Sequence, residues 1–284
     1  MKIIDFRVRP PMEGITNQIF YTNPQRRDGF NRKLGFAPAP SAQQGSMSLL
    51  FEEMDAAGVA LGVVIGRVSE TLGTTSNDDV AKVVAAHPDR FVGIAGVDPL
   101  NRRAAIKEID RAIGLGLRGV NIEPGTYRTP LHADDRRLYP IYAHLEDRDI
   151  PVIIMTGGNP GPDLSFTDPV AVDRVAADFP SLKIVISHGN WPWVHQILHV
   201  AFRRPNVSLS PDMYLFDLPG SEDYVKAADT YLADQFVYAS AYPFTPLKDY
   251  AERFRTLPIR PESMKKVLYD NAARILKLGS KEER

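Results

Sequence analysis

The sequence contains no cysteine, which excludes disulfides, thiolate nucleophiles and cysteine-ligated zinc. No apolar run approaches the ~18 residues that span a bilayer. The opening Met1-Lys2-Ile3-Ile4-Asp5-Phe6 lacks the apolar core of a signal peptide, so a soluble cytoplasmic protein is expected. Excess charge is missing as well. The 284 residues carry a formal net charge of -1, which gives no electrostatic reason to expect nucleic acid or an anionic membrane as partner. Arg26-Arg27 and Arg203-Arg204 are isolated pairs, too small for a nucleic-acid footprint.

What the sequence does contain is a regular alternation. Short apolar, β-branched runs fall at residues 2–6, 60–66, 91–97, 119–122, 152–156, 183–187, 207–210 and 236–240. They show little polar alternation, as expected of parallel strands covered on both faces. Amphipathic helix-period segments separate them at 47–58, 77–86, 102–115, 136–148, 169–179, 192–203, 222–232 and 247–256. Eight strands, each followed by a helix, predict an α/β fold of the (β/α)8 TIM-barrel class. An extra C-terminal helix is expected over 261–278. A single domain would span 1–279, with 280–284 as a flexible tail.

One stretch breaks the rhythm. Residues 7–46 separate the first strand from the first long helix and are rich in Pro, Gly, Asn and Arg, with Phe20, Tyr21, Phe30 and Phe36 among them. Such a long β1–α1 loop leaves the site-bearing end of a barrel. Its aromatics argue for a packed cover over the mouth; a homodimer contact arm and plain disorder are the alternatives.

The residues just past the strands carry a resemblance. Ile4-Asp5-Phe6-Arg7-Val8-Arg9, Ser187-His188-Gly189-Asn190-Trp191, Ala239-Ser240-Ala241-Tyr242-Pro243 and the closing Asn271-Ala272-Ala273-Arg274-Ile275 stand in the order of the landmarks of the amidohydrolase-related family. That family includes the aminocarboxymuconate-semialdehyde decarboxylase type. It typically reads Ile-Asp-x-His-x-His after strand 1, His after strand 5, His-Gly after strand 6 and Gly-Ser-Asp-x-Pro after strand 8. The resemblance spans nearly the whole chain and implies hydrolysis of lactones or amides, or removal of carboxylate from unsaturated or aromatic acids. In such proteins the histidines and the aspartate hold a divalent metal. Here Arg7 and Arg9 replace the histidine pair, Met155 stands at the strand-5 position and Ala241 at the aspartate position; His188 alone keeps the family's identity.

Arginine stays protonated and offers no lone pair to a cation, so the inherited metal seat is not expected to bind one. Arg7, Arg9 and, at the end of strand 2, Arg67 instead make a cationic cluster suited to bidentate capture of a small anionic substrate. An internal network with Glu123 and Asp212 is the competing reading, and the two can coexist. His188 is the candidate general acid or base, with Glu123 or Asp212 as its carboxylate partner. Met155, Asn190, Trp191, Tyr214 and Tyr242 are expected around the substrate. Gly157-Gly158-Asn159-Pro160-Gly161-Pro162 lacks the Lys-Ser/Thr ending of a phosphate-binding loop and reads as a tight turn that lets a ligand approach the backbone. His195 and His199, spaced i, i+4, lie well inside an outer helix, away from the strand ends.

The leading expectation is therefore a metal-independent hydrolase acting on a small carboxylate-bearing, lactone-like substrate, with no cofactor. Decarboxylation within the same family is its neighbour. Two other readings are a divalent metal such as zinc in a rebuilt site of His188, Glu123 and Asp212, and a barrel that binds a metabolite without turnover.

Overall fold

A computed structural model describes residues 1–158 and 161–279. The tail at 280–284, and Asn159 and Pro160 of the glycine-rich turn, lie outside the described residues. Seven parallel strands follow one another in chain order: β1 (Ile3–Val8), β2 (Val59–Ile65), β3 (Phe91–Gly96), β4 (Val120–Ile122), β5 (Val152–Met155), β6 (Ile184–Ser187) and β7 (Val207–Ser210). The eighth position is filled by the segment 236–242. It bridges Leu209 of β7 at Phe236 and Val8 of β1 at Tyr242, and its Tyr238 carbonyl accepts from Phe6 N–H at 3.0 Å. The ring thus closes into a TIM barrel.

The eighth segment is less regular than its apolar sequence predicts, for two reasons. Tyr238 N–H donates to the Val267 carbonyl of the C-terminal helix rather than into a ladder, and Ser240 N–H donates to the Asp5 carboxylate at 3.0 Å. No helix among the described residues is long and apolar enough to cross a membrane.

Side chains divide the barrel into two layers. Ile4, Phe6, Val63, Ile65, Val92, Ile94, Ile153 and Val185 fill the interior, which Ala272 and Ile275 of the last helix plug from below. The alternate residues, such as Val64, Ile122, Ile154, Ile186 and Leu209, pack against the outer helices. Those helices stand where the 3.6-residue period predicts, with Asn77–Ala86 and Leu247–Arg255 as examples. The C-terminal helix runs from Pro261–Lys265 through a π-helical turn, Lys266–Asp270, to Asn271–Ile275. Asn271 Nδ2 donates to the Ala233 and Phe236 carbonyls at 2.8 and 2.7 Å, tying that helix to the start of the eighth segment.

β1 departs from a plain strand in a way that matters for function. Ile4 and Phe6 face inward, so strict alternation would send Val8 inward and Arg7 outward. The register with β2 slips between Asp5 and Val8, and Val8 packs on the outside. This bulge turns Arg7 into the barrel; such irregularities re-aim side chains near sites. Asp5 pins the bulge, accepting Arg7 N–H at 3.1 Å and Ser240 N–H at 3.0 Å on the same oxygen.

Residues 9–46 do not form an open loop. They fold into short helices, Ile19–Thr22, Pro24–Lys33 and Pro40–Gln44, and lie over the mouth. Phe20 and Phe30 both pack edge-on against Phe244 from beyond the eighth segment, and Phe36 reaches Phe216 and Tyr250. The structure thus favours the cover.

Candidate functional site

The strand ends converge on a buried set of charges. Arg7, an inward residue of β1 rather than one beyond its end, donates through Nη1 to Ser187 Oγ at 3.0 Å and through Nη2 to Glu123 Oε1 at 3.1 Å; Nη2 also lies 3.5 Å from Met155 Sδ. Arg67, just past β2, donates through Nη2 to the same Glu123 oxygen at 2.9 Å, and its Nε lies 2.8 Å from Glu123 Oε2. Asn121 Nδ2 adds a third donor to Oε1 at 3.1 Å. Burial pushes the Glu123 carboxyl upward, but the Arg67 and Arg7 guanidiniums outweigh it and hold the pKa down at about 2. Glu123 is therefore the carboxylate of the arginine network, and the expectation that it partners His188 is corrected here.

Arg9 differs from the other two. Its Nη1 donates to the Ala241 and Tyr242 carbonyls, each at 3.1 Å. The Phe20 ring lies 4.8 Å from its guanidinium carbon and the Phe244 ring 5.9 Å. Among the described residues no carboxylate reaches ion-pair distance of it. Arg9 is only 3% exposed, and burial, then Arg7 and Arg67, drive its pKa well below the ordinary arginine value. One carboxylate shared by Arg7 and Arg67, with none on Arg9, leaves the cluster short of negative charge. The internal-network reading thus describes Arg7 and Arg67, while Arg9 stands outside that network among the described residues.

His188 belongs to a second unit. Its Nδ1 lies 2.9 and 2.8 Å from the two oxygens of Asp212, and its backbone N–H donates to Asp212 Oδ2 at 3.3 Å. Asp212, expected as an alternative counter-ion for the arginines, is instead oriented on His188. Burial pushes the His188 pKa down; Asp212 opposes this, and Arg7 and Arg9 reinforce it. The neutral imidazole that results donates from Nδ1 to Asp212, which leaves the Nε2 lone pair free to take a proton.

The backbone here is held in costly conformations. His188, Asn190, Asp212 and Ala241 all have positive φ, at 61°, 63°, 44° and 59°; for non-glycine residues each costs on the order of 1–3 kcal/mol. Neighbours enforce them. Tyr224 hydroxyl donates to the Gly189 carbonyl at 2.7 Å, and Tyr250 hydroxyl donates to the Asp212 carbonyl. Asn190 accepts from Thr156 Oγ1 at 2.7 Å and donates to the Thr167 carbonyl at 2.9 Å. Its side chain is a brace, not a group facing a ligand.

The remaining expected residues separate similarly. Trp191 stacks on Tyr214, with ring centroids 5.2 Å apart and planes at 11°, and Tyr214 meets His188 edge-on at 5.3 Å. These two form an aromatic wall beside the histidine. A side chain at Gly158, whose φ is +79°, would collide with the Tyr214 hydroxyl, and one at Gly157 with the His188 carbonyl oxygen, so the glycine pair serves the close approach of the protein's own residues. Tyr242 turns away: its buried hydroxyl lies 2.7 Å from Ser41 Oγ, and only its carbonyl faces Arg9. His195 pairs with Asp223 on the surface at 3.0 Å.

The amidohydrolase family model, Amidohydro_2, matches residues 4–278. The chain belongs to that family. Among solved structures, the uncharacterized TIM-barrel protein Bb4693 from Bordetella bronchiseptica is 55% identical, with a TM-score of 0.96 over 98% of this chain and 99% of that one. A gamma-resorcylate decarboxylase from Rhizobium sp. (strain MTP-10005) is 23% identical over 72% of this chain and 75% of its own length. A 2-keto-4-carboxy-3-hexenedioate hydratase from Sphingobium sp. (strain NBRC 103272 / SYK-6) is 29% identical, but the match covers 40% of this chain and 39% of that protein.

The metal that such a resemblance implies does not fit the donors present. Guanidiniums (Arg7, Arg9), a thioether (Met155) and a methyl group (Ala241) stand at the four positions where the resemblance implies ligands. Glu123 is committed to Arg7 and Arg67 and Asp212 to His188, and no group of three or more His, Asp or Glu among the described residues is arranged to hold a metal.

Several contributors carry no sequence signal of their own. Gln18 Oε1 accepts from Arg67 Nη1 at 3.2 Å, and Phe20 covers both Arg9 and Arg67, the latter at 5.6 Å. Phe20 is one of the aromatics that announce a cover, but nothing in the sequence sets it on the arginine faces, and Gln18 carries no signal at all. Asp5 and Ser187 lie inside the quoted landmarks, and only the β1 bulge explains their roles.

Proposed function

We propose that the chain binds a small carboxylate-bearing substrate through Arg9 and hydrolyses a lactone-like ester bond in it, with the His188–Asp212 pair as general base and no divalent metal. The observation that carries this reading is the pairing of a buried guanidinium lacking a carboxylate with a histidine held as free base. A substrate carboxylate would supply the missing anion, and removing a buried charge from isolation is worth several kcal/mol. His188 Nε2 would take a proton from water as the water oxygen bonds to the ester carbonyl carbon. Collapse of that intermediate breaks the carbon–alkoxy oxygen bond, and the imidazolium returns its proton to the leaving oxygen. Asp212 holds the ring and stabilises its charge, while the cationic field of Arg7 and Arg67 lowers the energy of the developing oxyanion.

A second reading, decarboxylation, is favoured by the similarity to gamma-resorcylate decarboxylase. It needs a proton delivered to carbon, for which the depressed His188 pKa is less suited.

Calorimetric titration with benzoate tests the anion position. Arg9→Met is expected to weaken binding by about 30-fold or more, the ~2 kcal/mol typical of losing one partner of a buried charged contact; unchanged affinity would refute the role. Turnover of a lactone panel, against carbon dioxide release from aryl carboxylates, separates the two reactions. Elemental analysis of protein purified without added metal tests metal independence, and a stoichiometric transition metal would overturn it.

A further inference from the structure

Every charged group of the site is buried: Arg7, Arg9, Arg67, Glu123, His188 and Asp212 are each 5% exposed or less. A ligand therefore reaches Arg9 only if part of the cover moves. The cover is fastened in two different ways. Its far part is held by contacts that do not involve the guanidiniums of the site. Phe36 packs on Phe216 and Tyr250; Ser41 bonds Glu53 and Tyr242. Arg27 donates to the Ala42 carbonyl at 3.0 Å. Its near part, residues 18–21, meets the arginines through side chains: Gln18 on Arg67, Phe20 on the faces of Arg9 and Arg67, and Tyr21 hydroxyl on the Arg9 backbone carbonyl at 2.5 Å; Ile19 N–H to the Leu72 carbonyl at 3.2 Å and the edge of Phe20 on Phe244 add to these. Gln18 Nε2 also donates to Thr75 Oγ1, across the short bridge that joins Arg67 and Thr75.

We propose that Gln18 and Phe20 form a latch that keeps residues 18–21 shut over the site, fastened to Arg67 and to the face of Arg9, the guanidinium that a substrate carboxylate would claim. This rests on the reading that the arginines take that carboxylate. The latch is matched to its opener. Gln18 offers Arg67 a neutral amide oxygen, and an ionised carboxylate makes a hydrogen bond roughly twice as strong to the same donor. An anion that enters at Arg9 and reaches Arg67 with a second oxygen displaces the amide and frees the tip, while the Phe36 and Ser41 contacts keep the rest of the cover in place. Gln18 is thus a positioning residue that controls access and takes no part in proton transfer.

Two substitutions at Gln18 should move the latch in opposite directions. In Gln18→Glu a carboxylate faces Arg67, so the tip is held more tightly; in Gln18→Ala the contact is lost. Hydrogen–deuterium exchange of the peptide covering residues 16–22, measured without ligand, is expected to slow about tenfold in the first variant and quicken about tenfold in the second. Stopped-flow association of benzoate, read by tryptophan fluorescence from Trp191 beside Tyr214, should change in the same order: slowest in Gln18→Glu, fastest in Gln18→Ala. Equal exchange in wild type and both variants, or a change spread evenly over the chain, would overturn the latch. Should Gln18→Ala fail to fold, the Gln18→Glu arm decides alone, because slower local exchange cannot arise from lost stability. Benzoate that binds none of the three proteins would sink the carboxylate reading, while the ligand-free exchange would still decide the latch.

Discussion

Glu123→Gln is the sharpest test of the charge arrangement. The substitution keeps the shape and one acceptor oxygen but removes the negative charge that two buried guanidiniums share. Glu123 oxygens lie 3.1 Å from Arg7 Nη2, and 2.9 and 2.8 Å from Arg67 Nη2 and Nε. At an effective dielectric of ~20, each ion pair at ~3 Å carries a gross attraction of roughly 5 kcal/mol. Desolvation of three buried ions consumes most of that sum, but removing one partner leaves the others uncompensated, which costs about 3–5 kcal/mol. For a domain whose total stability is ~5–15 kcal/mol the loss is large. Urea unfolding should show it as a lowered midpoint at unchanged slope, and heating as a Tm drop on the order of 10 °C. The effect has a pH signature. The folded carboxyl titrates near 2, below its unfolded value, so its contribution is complete above ~4.3 and fades as the pH falls toward 2. The gap between wild type and variant should therefore narrow in acid. A loss under ~1 kcal/mol at pH 7, or a gap that does not narrow, would mean that these guanidiniums are satisfied without Glu123 and that the ledger drawn for the mouth is wrong.

Two further outcomes follow from the strands that aim the site. Burial raises the Asp5 carboxyl to about 6, against the hydrogen bonds from Ser240 and Arg7, so the folded state binds its proton more tightly than the unfolded one. Its contribution then falls by roughly 3 kcal/mol as the pH climbs from ~4 to above ~6. Asp5→Asn should gain on wild type by about that amount between pH 4 and 7 in paired denaturant titrations, and parallel profiles would refute it. Gly96→Ala would place a methyl group 2.5 Å from Arg67 N and the Gly66 carbonyl carbon, forcing β2 and β3 apart at the root of Arg67. A loss of ~1–3 kcal/mol is expected, together with weaker benzoate binding by calorimetry; a variant as stable as wild type would show that the strand ends yield freely.

The barrel was legible because both of its layers are apolar. A strand such as Val152–Met155, buried on two faces, leaves an unbroken run that no amphipathic helix would tolerate. The same logic misreads the eighth segment, where hydrogen bonds to the last helix and to the Asp5 side chain take the place of a ladder without altering composition. The β1 bulge has no local signal either, since Asp5-Phe6-Arg7-Val8 reads as an ordinary strand. That Arg7 points inward follows from its long-range partners Glu123, Met155 and Ser187. The cover was foreseen from its aromatics, but its helix Pro24–Lys33 is so polar that no hydrophobic period announces it. For His188 the sequence offered two carboxylates. The choice fell to three-dimensional position: Asp212, at positive φ after β7, lies next to the turn after β6, whereas Glu123, after β4, faces β1 and β2 across the barrel.

These placements bear on why the family's cation seat could change without losing the fold. A divalent ion at the end of β1 would be charge bound from solution, held by donors that must be deprotonated. Arg7 puts a positive charge at the same strand end as part of the chain, and Glu123, Ser187 and Met155 accept its donors. The buried carboxylate after β4 is thereby satisfied at every pH above ~4, with no dependence on metal supply. What the exchange forfeits is chemistry, because a guanidinium neither polarises water as a Lewis acid nor lowers its pKa. On the proposed reading that task falls to His188, and its environment agrees: the imidazole is desolvated, oriented through Nδ1 and beside cations that discourage its protonation. Arg9 completes the conversion. With no carboxylate at ion-pair distance among the described residues, it is, on the proposed reading, the group that takes an anion where the resemblance implies a cation.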